Sequence, residues 1–272
     1  MTQPVEMTLR PAAGGGWLRH GFLLRSLVAR DFRGRYAGSL LGLLWSFVHP
    51  LWLLALYTFV FATVLKVSLL GERTETFGVF LFAGLLPWTA VHEGVLRGAT
   101  AITDNAPLVK KVRFPSAVLV LTVVVAALLH QAIALGVFLV VLALLGEPSG
   151  AGLPLLLVAV PLQVALTLGL ALGLSAVNVF FRDVPQVLGL ALNAWFFLTP
   201  IVYPLHLVPE WFRPWLELNP LTALVDLYRQ ALLGDALALP GGTGALAVTS
   251  LVILCAGLWT FRRLRPQLVD EI

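Results

Sequence analysis

Charged residues are scarce in this 272-residue sequence, at 12% of all positions, whereas 59% of the residues are hydrophobic. A soluble domain usually carries about 25% charged residues. A chain of this size has too little interior to hide so many leucine, valine, alanine and phenylalanine side chains from water. The composition therefore excludes an ordinary soluble domain and predicts an all-α polytopic membrane protein.

Cysteine and lysine are also rare. The single cysteine, Cys255, excludes an internal disulfide and a cysteine-based metal site, and we assign no metal to the chain. The three lysines are Lys66, Lys110 and Lys111, and none of them follows a glycine. A G-x-x-x-x-G-K-[ST] phosphate-binding loop is therefore excluded, so another chain must bind ATP if ATP drives this protein. The first 40 residues also lack the pattern of a removable signal peptide.

Six apolar stretches are long enough to cross a bilayer, which takes about 20 residues of helix. The predicted spans lie near residues 42–65, 77–97, 116–145, 153–180, 186–203 and 243–261. They form one transmembrane domain over residues 41–261, between an N-terminal segment, 1–40, and a tail, 262–272. An outer segment at about 204–235 separates the fifth and sixth spans.

The distribution of basic residues predicts the orientation. Six spans place both termini on the same side of the membrane, and 14 of the 18 lysines and arginines fall on that side. Cytoplasmic loops carry an excess of such residues. We therefore expect both termini to be cytoplasmic.

The segment before the first span is predicted to be an amphipathic helix lying in the membrane interface. Arg19, Arg30 and Arg33 fall on one face, opposite apolar residues that include Val28 and Phe32. This basic face suits lipid headgroups or a partner protein, and the sequence leaves both open.

A small basic segment, NAPLVKKVRFP (105–115), connects the second and third spans. We expect Asp104 or Asn105 to cap a short helix that has Pro107 in its first turn and ends before Pro115. The helix would present its cations to the cytosol, either as a topology signal or as a docking surface. These cations are Lys110, Lys111 and Arg113.

Two sets of aromatic and polar residues are candidates for a ligand-binding surface within the membrane. In the first span a stripe recurs at helical spacing and consists of Trp45, His49, Trp52, Leu56 and Phe59. In the fifth span, where Pro200 is expected to kink the helix, the candidates are Trp195, Phe196, Thr199 and Tyr203. Aromatic rings with polar edges can stack against a ligand and hydrogen-bond to it. The alternative is that these side chains face lipid.

Polar groups inside the spans have a structural and a functional interpretation. Glu93 is the only acidic residue within a span, and such residues are often functional. Arg97 follows one turn later, so an i, i+4 ion pair is the favoured interpretation. Four other sites are expected to form hydrogen bonds between helices. They are His130–Gln131, Gln163, Asn178 and Asn193.

Several stretches in order along residues 20–265 resemble the membrane subunit of ABC-2-type exporters, most closely the permeases for lipid-linked O-antigen, capsule and teichoic acid polymers. The stretches are ARDFRGRYAGSLLGLLWSFVHPLWLLALYTFVF (29–61), LFAGLLPW (81–88), DNAPLVKKVRFPS (104–116), FRDVP (181–185), TPIVYPLHLVP (199–209) and LNPLTALVDLYRQALL (218–233).

This resemblance implies a homodimer in the bacterial plasma (inner) membrane that carries two copies of a cytoplasmic ABC ATPase. ATP and Mg²⁺ would bind to the ATPase, so this chain would hold no cofactor, would not itself be an enzyme and would bind no nucleic acid. The basic helix and residues 100–115 would contact the ATPase, and the aromatic sets of the first and fifth spans would line the path of the sugar polymer, whose rings can slide along aromatic surfaces. Short helices after the fifth span would dip into the outer leaflet as an external gate, although the residues alone fit a surface hairpin on the headgroups equally well. The gate residues would be Trp211, Trp215, Asn219, Asp226 and Arg229.

Two other functional classes are less well supported. A membrane-embedded glycosyl or phosphoglycosyl transferase needs clustered carboxylates or a metal site, and the acidic residues here are scattered. An ion-coupled secondary transporter favours paired ionisable groups at the midplane and inverted repeats, and neither pattern is found.

Overall fold

The computed structural model describes residues 16–36, 44–64, 76–111, 115–146, 151–234 and 236–271, and within these ranges it is helical, with no strand. The helices are α1 (Gly16–Tyr36), α2 (Trp45–Thr58), α3 (Thr76–Thr100), α4 (Ala106–Lys111), α5 (Ala117–Leu145), α6 (Leu156–Phe180), α7 (Val184–Phe197), α8 (Arg213–Glu217), α9 (Pro220–Leu233), α10 (Thr243–Leu264) and α11 (Leu268–Glu271). The prediction of an all-α polytopic membrane protein is confirmed at this level.

Four of the described helices are long and apolar enough to cross a membrane. They cover Phe77–Thr100, Ala117–Leu145, Leu153–Phe180 and Thr243–Gln267, at the positions of the second, third, fourth and sixth predicted spans. The other two predicted spans differ. Helix α2 has 14 residues and continues as a six-residue π-helix, Phe59–Val64, while α7 has only 14 residues. At 1.5 Å per residue α7 is about 21 Å long, shorter than the hydrocarbon core.

The prediction that the fifth span runs to residue 203 with a kink at Pro200 is wrong. Helix α7 ends at Phe197, and a turn follows in which Ile201 donates to the carbonyl of Thr199. Pro200 has no N–H to continue the helix, and a proline disfavours helical geometry in the residue before it. The proline therefore ends the helix instead of bending it.

Two predicted helix starts have different outcomes. Asn219 caps α9 as expected: its side chain accepts a hydrogen bond from the N–H of Leu221, and Pro220 is the first helical residue. Asn105, however, does not cap α4. Its amide donates to the carbonyl of Ala101 at 2.9 Å, so it closes the end of α3 instead.

Helix α3 forms the centre of the molecule, since it packs against α2, α5, α6, α7 and α9 and is buried over most of its length. Helices α6 and α10 pack so tightly that their backbones come into contact. A Cβ atom placed on Gly257 would lie 1.9 Å from the carbonyl oxygen of Gly169, so the two backbones touch at this point. Small residues allow such close approach between membrane helices.

A buried polar network joins four helices. The amide of Gln131 on α5 donates to Gln163 on α6 at 3.1 Å and to the hydroxyl of Tyr228 on α9 at 2.9 Å. Gln163 donates back to Gln131 at 2.7 Å and to the carbonyl of Pro87 on α3 at 3.4 Å. The expected interhelical hydrogen bonds of Gln131 and Gln163 are thus confirmed, and that of Asn178 is too, through the hydroxyl of Thr103 at 3.2 Å. Such networks fix the relative position of helices that apolar packing alone leaves free to slide.

Candidate functional site

A cavity of about 350 Å³ lies between α2, α3 and α5. Most of its wall is apolar, and its polar or aromatic lining residues are Trp45, Ser46, His49, Phe82, Thr89, Glu93, His130 and Gln131. Trp45 and His49 are exposed, so the cavity reaches the surface of the chain beside α2. An apolar concavity with a few converging polar groups is the usual form of a small-molecule site.

The stripe predicted on the first span lies on one uncovered face. Its five residues, Trp45, His49, Trp52, Leu56 and Phe59, are all exposed, and Trp52 is 64% exposed. The opposite face holds Ser46, Pro50 and Leu54, which are buried against the rest of the chain. Helix α2 thus presents two tryptophans and a phenylalanine outward, while its upstream end forms part of the cavity wall.

An ion-pair cluster lies at the side of the cavity nearest α1. The predicted pair is present, with Arg97 donating to Glu93 at 3.0 Å. Arg97 also donates to both carboxylate oxygens of Asp31, at 2.6 and 3.4 Å, which fastens α1 to α3. Nδ1 of His130 lies 3.7 Å from Glu93, and its ring packs against that of Phe32 at 5.0 Å.

Asp31 and the cavity itself were not predicted from the sequence. Asp31 stands 66 positions from Arg97, and no periodicity within one helix reports a contact over that distance. The available signal was a single acidic residue, Asp31, within a helix whose other charged residues are basic. An isolated opposite charge of this kind is the feature to search for in such helices.

The end of α7 and the start of α9 meet at Asn219. The indole N–H of Trp195 donates to its side-chain oxygen at 2.8 Å. Its amide group donates to the carbonyl of Leu198 and to the hydroxyl of Thr199, both at 3.0 Å. The structure thus joins two predicted path residues to a predicted gate residue, a contact that spacing in the sequence does not report.

Arg229 holds the same turn from the other end of α9. Its guanidinium donates to the carbonyls of Pro200 and Ile201, both at 2.8 Å, and stacks 3.5 Å over the ring of Phe80. Arg229 also forms an i, i+3 ion pair with Asp226, at 3.9 Å. Two carbonyl groups of the turn after α7 are therefore bound by the planar guanidinium, which presents several donors in a fixed geometry.

The remaining path and gate residues have separate environments. Phe196 packs against the ring of Trp88 at 5.5 Å, and the hydroxyl of Tyr203 donates to the carbonyl of Phe197 at 2.7 Å. Trp211 and Trp215 are 76% and 68% exposed, on the segment that includes α8. Large apolar side chains left on the surface are expected to face lipid or a partner chain.

The residues predicted to contact an ATPase lie on α1 and α4. Arg30, Arg33, Pro107 and Lys110 are exposed. Arg19 and Lys111 are described only as parts of their helices, and Arg113 lies outside the described residues. Apolar side chains of both helices join one cluster with the C-terminal helix; the members from these three helices are Leu23, Leu27, Leu108, Val109 and Leu268. The two predicted surfaces are thus connected through a shared core.

Comparison with known proteins identifies the family. Residues 23–233 match the family described as ABC-2 type transporter. The chain belongs to this family. The chain is 35% identical over 252 residues to an O-antigen export system permease protein, RfbA, of Myxococcus xanthus, which covers 92% of the chain and 95% of the relative. It is 31% identical over 257 residues to an O-antigen export system permease protein, RfbA, of Klebsiella pneumoniae, and the match covers 92% of the chain and 96% of the relative.

A more distant relative has a different named substrate. The polysialic acid transport protein KpsM of Escherichia coli is 27% identical over 243 residues, covering 88% of the chain and 92% of the relative. The resemblance stated from the sequence motifs is therefore confirmed at the level of the family and its relatives.

Proposed function

We propose that this chain is the transmembrane permease subunit of an ATP-driven ABC exporter that moves a lipid-linked polysaccharide across the plasma membrane. The observation that carries the proposal is the 35% identity to an O-antigen export permease over 92% of the chain. The polymer is of the O-antigen, capsule or teichoic acid type.

In this proposal the chain crosses the membrane six times, with both termini in the cytoplasm. Helix α2 and its π-helical extension together contain 20 residues, about the length that a span requires. Helix α7 is the fifth crossing, and α9 lies against the turn at its end. The short α7 is supported at that end by α9, which is itself too short to cross.

The energy comes from a partner. The subunit forms a homodimer that binds two ABC ATPase subunits, which hold ATP and Mg²⁺. Helices α1 and α4 provide the contact surface, and their shared apolar cluster with α11 passes a movement of the partner into α5 and α6. Nucleotide binding then biases the dimer between two states.

The polysaccharide passes along the uncovered face of α2 and the aromatic end of α7. Trp45, Trp52 and Phe59 offer ring surfaces that the described residues leave exposed. Trp195 contributes a ring face, since its N–H binds Asn219. The segment of α8 and α9 forms the outer gate, in which Asn219 and Arg229 attach α9 to α7, and Trp211, Trp215 and Asp226 complete the surface.

The test uses a polymer-producing cell in which this chain is depleted. Polysaccharide should disappear from the cell surface and accumulate inside, still attached to its lipid. Restoring the wild-type chain should restore surface polymer only when the ATPase partner is also active. A cell that still exports after depletion, or that stops synthesising the polymer altogether, would contradict export in favour of a different role; the latter result would indicate a transferase.

A further inference from the structure

The cavity between α2, α3 and α5 shares Trp45 and His49 with the stripe on α2, but it extends behind α2 into the chain. Its volume of about 350 Å³ is near the lower end of the range for small-molecule sites, about 300–1,000 Å³. It therefore suits one or two sugar rings and excludes a folded polymer or a long acyl chain.

Three of its lining groups have the chemistry that sugar hydroxyls require. The carboxylate of Glu93 can accept a further hydrogen bond beside the one from Arg97, the hydroxyl of Thr89 can accept while it donates to the carbonyl of Leu86, and the imidazole of His49 can do either. Trp45 adds an aromatic wall at the entrance, on which the apolar face of a sugar ring can stack.

The charge of the cavity lining indicates which end of a lipid-linked saccharide the cavity suits, the neutral sugar or the anionic phosphate. Among the described residues that line the cavity, Glu93 is the acidic one, and lysine and arginine are absent. The nearby guanidinium of Arg97 binds Glu93 and Asp31 directly. A phosphate or diphosphate group would therefore meet a carboxylate that Arg97 already binds, and no lysine or arginine among the described lining residues could pair with the phosphate itself, which disfavours an anion and favours a neutral ligand.

We propose that this cavity is a subsite for a neutral sugar unit of the exported polymer, held within one subunit. The biological identity of the ligand rests on the proposed function, whereas binding itself does not. During export, the site holds one sugar unit of the polymer beside the stripe on α2, and the lipid-linked phosphate stays outside the cavity.

The experiment uses the full-length chain with its ATPase partner in lipid nanodiscs. Three probes carry the same diazirine-bearing octyl chain and differ only in the head group: β-D-glucoside, phosphate or hydroxyl. After illumination, mass spectrometry quantifies labelling of the cavity-lining peptides. The glucoside should label them at least about tenfold more than the phosphate or the alcohol, a ratio within the reach of a hydrogen bond to a charged group. Equal labelling by the phosphate or by the alcohol would overturn the proposal.

Two pairs of variants test the position of the site. Ala134 lines the cavity and Ala132, on the same helix, is exposed, so A134L should abolish glucoside labelling while A132L leaves it unchanged. Likewise Trp45 lines the cavity and Phe47 does not, so W45L should reduce labelling and F47L should not. Unchanged labelling in A134L and W45L would overturn the site. The three-probe comparison on the wild-type chain needs no variant, so poor folding of a variant does not prevent a decision.

Competition separates the polymer from membrane glycolipids. Lipid-linked polysaccharide from the producing cell should displace the glucoside probe, whereas a diacylglycerol glucoside should not. Displacement by the diacylglycerol glucoside alone would assign the cavity to a membrane lipid and overturn its role in export. A chain that exports polymer but does not bind the glucoside would refute this site and leave the proposed function intact.

Discussion

At the scale of single residues, Asn219 has more partners than its place at a helix start implies. The same side chain caps α9, accepts from the indole of Trp195 and donates to Leu198 and Thr199. The cap was predictable, because an asparagine followed by proline is a common helix start. The bonds to α7 were not, because they depend on where Pro200 ends that helix, and the sequence predicted a longer one.

Replacing Asn219 should therefore destabilise the fold. N219A removes a helix cap, which costs about 0.5–2 kcal/mol, and leaves the Trp195 indole without its acceptor. We expect the apparent unfolding temperature of the purified chain to fall by roughly 5 °C. N219D keeps the acceptor oxygen but places a carboxylate oxygen against the carbonyl of Leu198 where an amide donor stood, so it should destabilise as well.

The matched control is N193A, which alters an exposed asparagine on α7. It should leave the unfolding temperature nearly unchanged, since surface substitutions usually change stability little. Equal unfolding temperatures for N219A and N193A would show that the contacts of Asn219 contribute nothing to stability.

At the scale of helices, the apolar runs predicted four spans correctly because length and hydropathy are local properties. The i, i+4 spacing also predicted the Glu93–Arg97 pair. The contacts between helices were harder to predict from the sequence. The contact between Gly169 and Gly257 depends on the rotation of α6 relative to α10, and a glycine within an apolar run has the same appearance whether it faces lipid or a neighbour.

The α6–α10 contact leads to a prediction in which one substitution has opposite effects at two sites. In a helix, replacing glycine by alanine normally stabilises by about 0.5–1 kcal/mol. That gain is expected for G136A, because nothing lies within 4 Å of the added Cβ. G257A should instead lower the unfolding temperature, because its Cβ would overlap the backbone of Gly169, and overpacking typically costs about 1–3 kcal/mol. An increase in unfolding temperature for G257A would contradict the close packing of these helices.

A separate prediction concerns the binding of the ATPase to helix α4. Reversing the charge of Lys110 and Lys111 in the K110E/K111E variant should release the ATPase while the chain still inserts into the membrane. We expect co-purified ATPase to fall at least about tenfold, as loss of about 1.4 kcal/mol in binding would produce. R262E reverses an exposed cation at the end of α10 and serves as the control for the change of charge. Normal ATPase recovery and normal export in K110E/K111E would show that α4 is not the contact surface.

At the scale of the whole molecule, the class of protein was predictable from composition and the family from ordered motifs, and the match over residues 23–233 confirms the family. The arrangement of the site was less predictable. The cavity needs α2, α3 and α5 together, and the cluster beside it needs Asp31 from α1. These groups come from four separate helices, so no short stretch of sequence contains the pattern.

The central claim is that this chain forms an ATP-driven route for a lipid-linked polysaccharide. The most direct measurement reconstitutes the chain and its ATPase in vesicles that contain the lipid-linked polymer, with the ATPase facing outward. Transport is read as protection of the polymer from an external glycosidase. The account predicts that the polymer becomes protected only when hydrolysable ATP and both subunits are present, and that no ion gradient is needed. Protection that a proton or sodium gradient drives without ATP, or that appears without the ATPase, would contradict it.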